Sequence, residues 1–160
     1  MKKWIFGVSI IVLVVILYGA YLYNTTMDKK LPKESKIVET AKKKGKLTEV
    51  TNIDYYHFKT SYAVVEGVNE KGDQCIVWVP EKKGDVLVHK KNEGISEKEA
   101  KQIVAAEAEA KPKEFVKVKL GAENNVPLWE VTYIDQEDRY TYYYLEFKDG
   151  KYAGSYSIEK

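Results

Sequence analysis

His57 and His89 are the only histidines of the 160-residue chain, and they stand 32 positions apart on segments that read as different strands. With no cysteine pair and no helical spacing around them, they lack the ligand pattern that a zinc ion requires. Asp135, Glu137 and Asp138 gather carboxylates that would suit a hard cation. The alternating oxygen ligands, glycine and closing glutamate of a calcium loop are missing, so the run reads as a hairpin turn. Asp54 beside Tyr55 and Tyr56 would suit proton transfer inside a curved sheet, yet an aromatic strand carrying one turn acid accounts for the same residues.

Ser157 and Lys160 have the Ser-x-x-Lys spacing of penicillin-interacting enzymes, whose serine opens a helix. Here the serine falls in a terminal strand, and neither Ser-Asp-Asn nor Lys-Thr-Gly accompanies it, since Lys59-Thr60 is followed by Ser61. Gly-x-Ser-x-Gly, His-Glu-x-x-His and a phosphate loop are also missing. The reading is therefore of a chain without catalytic residues, resident metal or cofactor, whose function rests on its surfaces.

The densest surface signal is "RYTYYYLEF", Arg139 to Phe147, with four tyrosines in five residues. Side chains alternate across a strand, so Tyr143, Leu145 and Phe147 fall on one face and Tyr140, Tyr142, Tyr144 and Glu146 on the other. A shift of 66 residues places Val77-Trp78-Val79 on Tyr143-Tyr144-Leu145, Asn69 on Asp135, Ile37-Val38 on Ile103-Val104 and Gly84 on Gly150. Such self-similarity marks two copies of one plan. In the first copy Cys75, Val77 and Val79 should lie under a helix, while Ile76 and Trp78 point away with Tyr142 and Tyr144.

Each copy reads as one helix followed by four strands. In the second, Ser96 with Glu99 three residues on forms a capping box ahead of Ala100, Ile103, Val104 and Ala108, and Pro112 ends the helical run. In the first, Pro32 suits an opening turn, Ile37, Val38 and Ala41 make the apolar stripe, and Gly45 is a natural stop. "YAVVEGV" with "QCIVWVP", and "LWEVTYI" with "YTYYYLEF", alternate with period two and read as hairpins. "VTNIDYYHF", "DVLVHK", "FVKVKLG" and "YAGSYSI" supply the outer strands, the last entered through the tight-turn pair Asp149-Gly150. A helix covers one face of each sheet and leaves the other.

Ahead of the repeats, Trp4 to Tyr23 carry no charge. Twenty residues at about 1.5 Å rise span roughly the hydrocarbon core of a bilayer. A cleaved signal peptide would have a shorter apolar run and small residues at its cleavage site, whereas Tyr18 stands two before Ala20. The expectation is an uncleaved transmembrane helix, with Lys2 and Lys3 inside and the C-terminal part outside. Asn24-Thr25-Thr26 matches a glycosylation sequon but reads as linker. Asn24 to Leu31 would reach at most about 28 Å, holding the following domains close to the membrane.

Residues 1–30 hold four lysines and one aspartate of the chain's 26 basic and 24 acidic side chains, so the remainder is one unit negative. A near-neutral ectodomain gives no electrostatic footprint for nucleic acid. Cys75 is the single cysteine, so no internal disulfide can form, and its alternation with Val77 and Val79 predicts burial.

The anchor, the two helix-plus-sheet copies, and "YAVVEG", "VWVP", "GISEKEAKQIV", "LWEVTY" and "YLEFKDGK" at these spacings resemble the YpmB-like family, whose domain is called the cell wall elongation regulator TseB-like domain. The similarity covers roughly residues 1–158. It implies an α+β fold: an N-terminal transmembrane helix followed by two tandem cystatin-like (PepSY-like) modules, each one helix on a small antiparallel sheet. The divisions are residues 1–30 for stub, anchor and tether, 31–92 for the first module and 93–160 for the second. The implied role is support of peptidoglycan synthesis through a penicillin-binding protein at the outer face of a Gram-positive-type membrane, with no catalytic residue to transfer.

Two uncovered sheet faces are either buried, against each other or under loops, or meet a partner. The second reading makes Ile76, Trp78, Tyr140, Tyr142 and Tyr144 the candidate partner-binding residues. The expected function is a non-catalytic, membrane-anchored, extracytoplasmic regulator docking on a penicillin-binding protein of the elongation machinery. The alternative is a PepSY-like protease inhibitor or peptidase-regulating module at the cell surface.

Overall fold

The computed structural model describes residues 12–19 and 34–160. Residues 12–19 are helical, and Val12 through Tyr18 expose their side chains. Most of the expected transmembrane run from Trp4 to Tyr23 lies outside the described residues, and among those described no helix is long and apolar enough to cross a membrane.

The fold is α+β. Helix α1 (residues 34–45) precedes strands β1 (Leu47–His57), β2 (Ser61–Asn69), β3 (Gln74–Pro80) and β4 (Leu87–Lys90), which form an antiparallel sheet in sequential order. A 3-10 turn, Lys91–Glu93, leads to helix α2 (Glu97–Glu107). Strands β5 (Pro112–Glu123), β6 (Val126–Asp135), β7 (Tyr140–Glu146) and β8 (Tyr152–Ile158) build a second sheet of the same order. The segments expected as two modules thus contribute one sheet each, and Val38–Lys160 is a single compact unit.

Local chemistry accounts for the element ends. The Ser96 hydroxyl accepts the Glu99 N–H at 3.3 Å and the Glu99 carboxylate accepts the Ser96 N–H at 2.7 Å, which satisfies amides that the first turn of α2 leaves open. The helix stops at Glu107, and Pro112 instead opens β5, where its missing N–H does no harm. At the end of α1 the left-handed residue is Lys46 (φ 50°) rather than Gly45. Gly45 answers to packing: a Cβ there would stand 2.6 Å from Val77 Cγ2, so only glycine lets the helix end approach the sheet.

That approach closes one small core. Ala63, Val65, Cys75, Val77 and Val79 on one face of the first sheet are buried, as are Ala41 and Leu47. The opposite face enters a larger cluster, in which Tyr56, Tyr62, Val64, Ile76 and Trp78 join Leu120, Ala122, Trp129, Leu145, Phe147 and the α2 residues Ala100 and Val104. Trp78 meets Phe147 edge-on at 5.5 Å between ring centroids, a favoured aromatic geometry. Strand β3 is consequently buried on both sides from Cys75 to Val79.

The first sheet closes over β5, the edge strand of the second. Lys119 on β5 donates to the Tyr55 carbonyl at 2.9 Å, and the Tyr56 ring occupies the space that a Cβ on Gly121 would need, 2.5 Å away. This contact buries apolar area on the face of β5 that carries Gly121.

Candidate partner-docking face

Helix α2 packs on one face of the second sheet, and the residues of the other face follow from register. Glu130 pairs with Tyr144, Thr132 with Tyr142, and Ile134 with Tyr140, while across β7 Tyr142 pairs with Tyr156 and Tyr140 with Ile158. Directly opposite residues share a face, so these side chains form one continuous stripe. Tyr142 and Tyr156 stack at 4.9 Å between centroids.

Phe58, just beyond β1, lays its ring on this stripe, 5.5 Å from Tyr144 and 6.2 Å from Tyr156. Phe58, Tyr156 and Ile158 remain 43%, 41% and 47% exposed, so apolar ring and chain surface faces water along β8 and just beyond the end of β1. Lys59 stands over the Phe58 ring and Lys160 over Tyr140, at 5.7 and 5.6 Å from the centroids. Such cation–π contacts border the patch without covering it.

One acid sits under the stripe. The Tyr144 hydroxyl donates to Glu130 Oε2 at 3.0 Å. Burial raises the Glu130 pKa above the usual carboxylate range, against the opposing pull of the Tyr144 bond and of Lys119 and Lys117. Burial likewise pushes the Tyr144 and Tyr142 hydroxyls up, with Tyr156 and Glu130 adding to the effect. The face presents rings, phenolic hydroxyls and a half-buried acid, which suit contact and hydrogen bonding.

Of the five residues expected to bind a partner, three are not at a free surface. Ile76 is 1% and Trp78 0% exposed because the first sheet closes over β5 and α2, and Tyr144 is covered by Phe58 and Tyr156. The helix-free face of the first sheet is spent on the core, where its Tyr56 joins Leu128 and Tyr144 from the corresponding face of the second sheet, so only part of that second face stays open. Tyr140 and Tyr142 keep part of their surface on the open face. Phe58, Tyr156 and Ile158 were missed. The same alternation that sorted β7 would have found Tyr156 and Ile158 once β8 was paired with it, whereas Phe58 is placed only by the tertiary fold.

The other residues with chemical promise are held in local contacts. His57 Nδ1 lies 3.1 Å from Ser61 Oγ, and His89 Nδ1 lies 3.2 Å from Glu93. Asp54 is 3.5 Å from Lys119 Nζ and accepts the Tyr55 N–H, at the rim of an open cleft of about 260 Å³. Ser157 Oγ shares a hydrogen bond with Thr141 at 2.8 Å, while Lys160 is turned to Tyr140. Asp135 is buried in its hairpin and bound to Arg139 at 2.9 Å. Among the described residues no three His, Cys, Asp or Glu side chains converge on a point that could hold a metal ion.

The comparisons with known proteins agree with one another. A family described as "Cell wall elongation regulator TseB-like domain" matches residues 38–80, from α1 to the end of β3. The chain is 40% identical over 149 residues to the "Probable cell wall elongation regulator TseB" of Bacillus subtilis (strain 168), a match covering 92% of this chain and 89% of that protein. The solved structure of the YpmB protein from Bacillus subtilis superposes with a TM-score of 0.73 at 36% identity, covering 78% of this chain and 96% of that one. Sequence likeness over nearly the whole length and a shared fold together establish that the chain belongs to the TseB-like family, the YpmB-like group whose motifs its sequence carries.

Proposed function

We propose that this protein is a non-catalytic, membrane-anchored, extracytoplasmic regulator of cell-wall elongation, and that it docks on a penicillin-binding protein through the open aromatic face of its second sheet. The name of the Bacillus subtilis relative supports the process. The observation that carries the docking surface is the uncovered stripe of Phe58, Tyr140, Tyr142, Tyr156 and Ile158, since exposed aromatics supply large contact area at small entropic cost.

Anchorage is supported by residues 12–19, a helix whose apolar side chains from Val12 to Leu17 are 51–64% exposed on every side. A helix apolar all round requires an apolar surrounding. Tethering then raises the effective concentration of any partner in the same membrane, so a modest interface suffices.

A photocrosslinking side chain in place of Tyr142, in living cells, tests the docking, with Lys43 on the exposed side of α1 as the control position. The expected result is an adduct with a penicillin-binding protein from position 142 alone. An adduct with an extracellular peptidase instead would transfer the reading to a protease-regulating module. Equal labelling from both positions would remove this face as the docking surface.

A further inference from the structure

Of the four sheet edges, three are blunted. Strand β1 is broken by two register shifts and packs on the second sheet, β4 is four residues long and carries His89 and Lys90, and β5 carries charges and lies under the first sheet. Strand β8 differs. Tyr152 to Ile158 contain no charge and no proline, six of the seven residues are exposed, and beyond one register shift beside Gly154 the stretch Ser155 to Ile158 runs in unbroken register with β7. An exposed, uncharged edge in a chain whose residues are 31% charged is the kind of template that folded proteins ordinarily suppress.

A groove of about 510 Å³ runs along β8 on the side of α2, walled by Glu107, Glu109, Tyr143, Tyr152, Ser155 and Ser157. Arg139 also reaches it but is held by Asp135 at 2.9 Å and Glu137 at 2.8 Å. Lys111 turns its Nζ to the carbonyls of Ala105 and Ala106 at the helix end. Glu107 and Glu109 take part in no ion pair among the described residues, which leaves the groove wall acidic.

We propose that β8 is a strand-addition site for an extended segment of a partner protein with basic residues at alternate positions. The backbone of the segment would continue the sheet. Its side chains on the α2 side would enter the groove and meet Glu107 and Glu109, and those on the other side would prolong the stripe of Tyr156 and Ile158 with apolar residues. A second copy of the chain is a poorer occupant: pairing β8 with itself about a two-fold axis normal to the sheet sets both acidic walls along one trough. The proposal does not rest on the identity of the docking partner.

The test uses the full chain in detergent micelles and a fluorescent octapeptide of alternating lysine and valine. Saturable binding is expected, with slower hydrogen exchange at Ser155 to Ile158. Methylating the peptide nitrogens that face the edge should abolish it, and the exposed pair Glu107→Lys/Glu109→Lys should weaken it about tenfold. Binding that survives N-methylation, protection confined to residues outside β8, or no binding in the millimolar range would overturn the proposal. So would concentration-dependent dimerisation through β8 in the absence of peptide.

Discussion

Asn69 and Asp135, 66 residues apart, organise the same turn with opposite polarity. Asn69 Oδ1 accepts the N–H groups of Lys71 and Asp73, both at 2.9 Å, and Asp135 Oδ1 accepts those of Glu137 and Arg139 at 2.9 and 3.0 Å. The second side-chain atom reverses its role. Asn69 Nδ2 donates to Asp73 Oδ2 and Cys75 Sγ, whereas Asp135 Oδ2 accepts from Arg139 Nε and Thr141 Oγ1. Asp73 and Cys75 correspond to Arg139 and Thr141 under the same 66-residue shift, so the repeat preserves the geometry of the bond and inverts its direction.

Asn69→Asp should therefore fail although aspartate serves at the matching position. Hydrogen bonds from Lys90 and Asn69 hold the Asp73 carboxyl below its usual range. The substitution removes one of these donors and sets a second carboxylate beside it. Thermal unfolding near pH 7 should show a melting temperature lower by about 5 °C. The deficit should shrink below about pH 4 as one carboxylate of the pair protonates.

Asp135→Asn gives the complementary case. Burial works against the Asp135 charge, but hydrogen bonds from Arg139, Glu137 and Thr141 outweigh it and hold the pKa below the usual range. A depressed carboxyl stabilises the fold above the ordinary aspartate pKa of about 4, and that contribution is lost as pH falls through the lowered value. Urea midpoints should separate wild type from Asp135→Asn most at neutral pH and converge in acid.

Trp78 measures the contact between the two sheets. Trp78→Ala should destabilise by about 3–5 kcal/mol, the range for truncating a large buried aromatic. Trp78→Phe keeps a ring against Phe147 and deletes an indole N–H that has no acceptor, so a smaller loss of about 1–2 kcal/mol is expected. Equal losses in denaturant unfolding would show that ring packing on Phe147 is not the main contribution.

Glu130→Gln should stabilise the protein at neutral pH. Burial raises the Glu130 pKa, so its charged form is disfavoured in the folded state, and glutamine retains a carbonyl acceptor for the Tyr144 hydroxyl. A raised carboxyl weakens the fold above its folded pKa, and the weakness disappears once the group is protonated below about pH 4. Unfolding midpoints at neutral and acid pH read the sign directly.

The elements were legible because each carries a local cause. Period-two alternation marked the four inner strands β2, β3, β6 and β7, Ser96 and Glu99 marked the start of α2, and the alternation of Cys75 with Val77 and Val79 predicted the burial found. The site was only half legible. Alternation sorts a strand into two faces but does not say which face meets solvent; that was decided by the closure of the first sheet over β5, a long-range contact with no sequence period. It sent Ile76 and Trp78 inward, brought Phe58 onto the tyrosine stripe and left Tyr140 and Tyr142 outside. Gly45 carried a related ambiguity, since the same residue type serves a helix stop and a close approach.

The burial of β3 on both sides divides evolutionary freedom unequally between the copies. A strand enclosed by a helix on one flank and a neighbouring sheet on the other can exchange side chains only for others of similar volume. The second sheet keeps part of one flank, around Tyr140, Tyr142, Tyr156 and Ile158, outside that constraint, so side chains there can change while the fold persists.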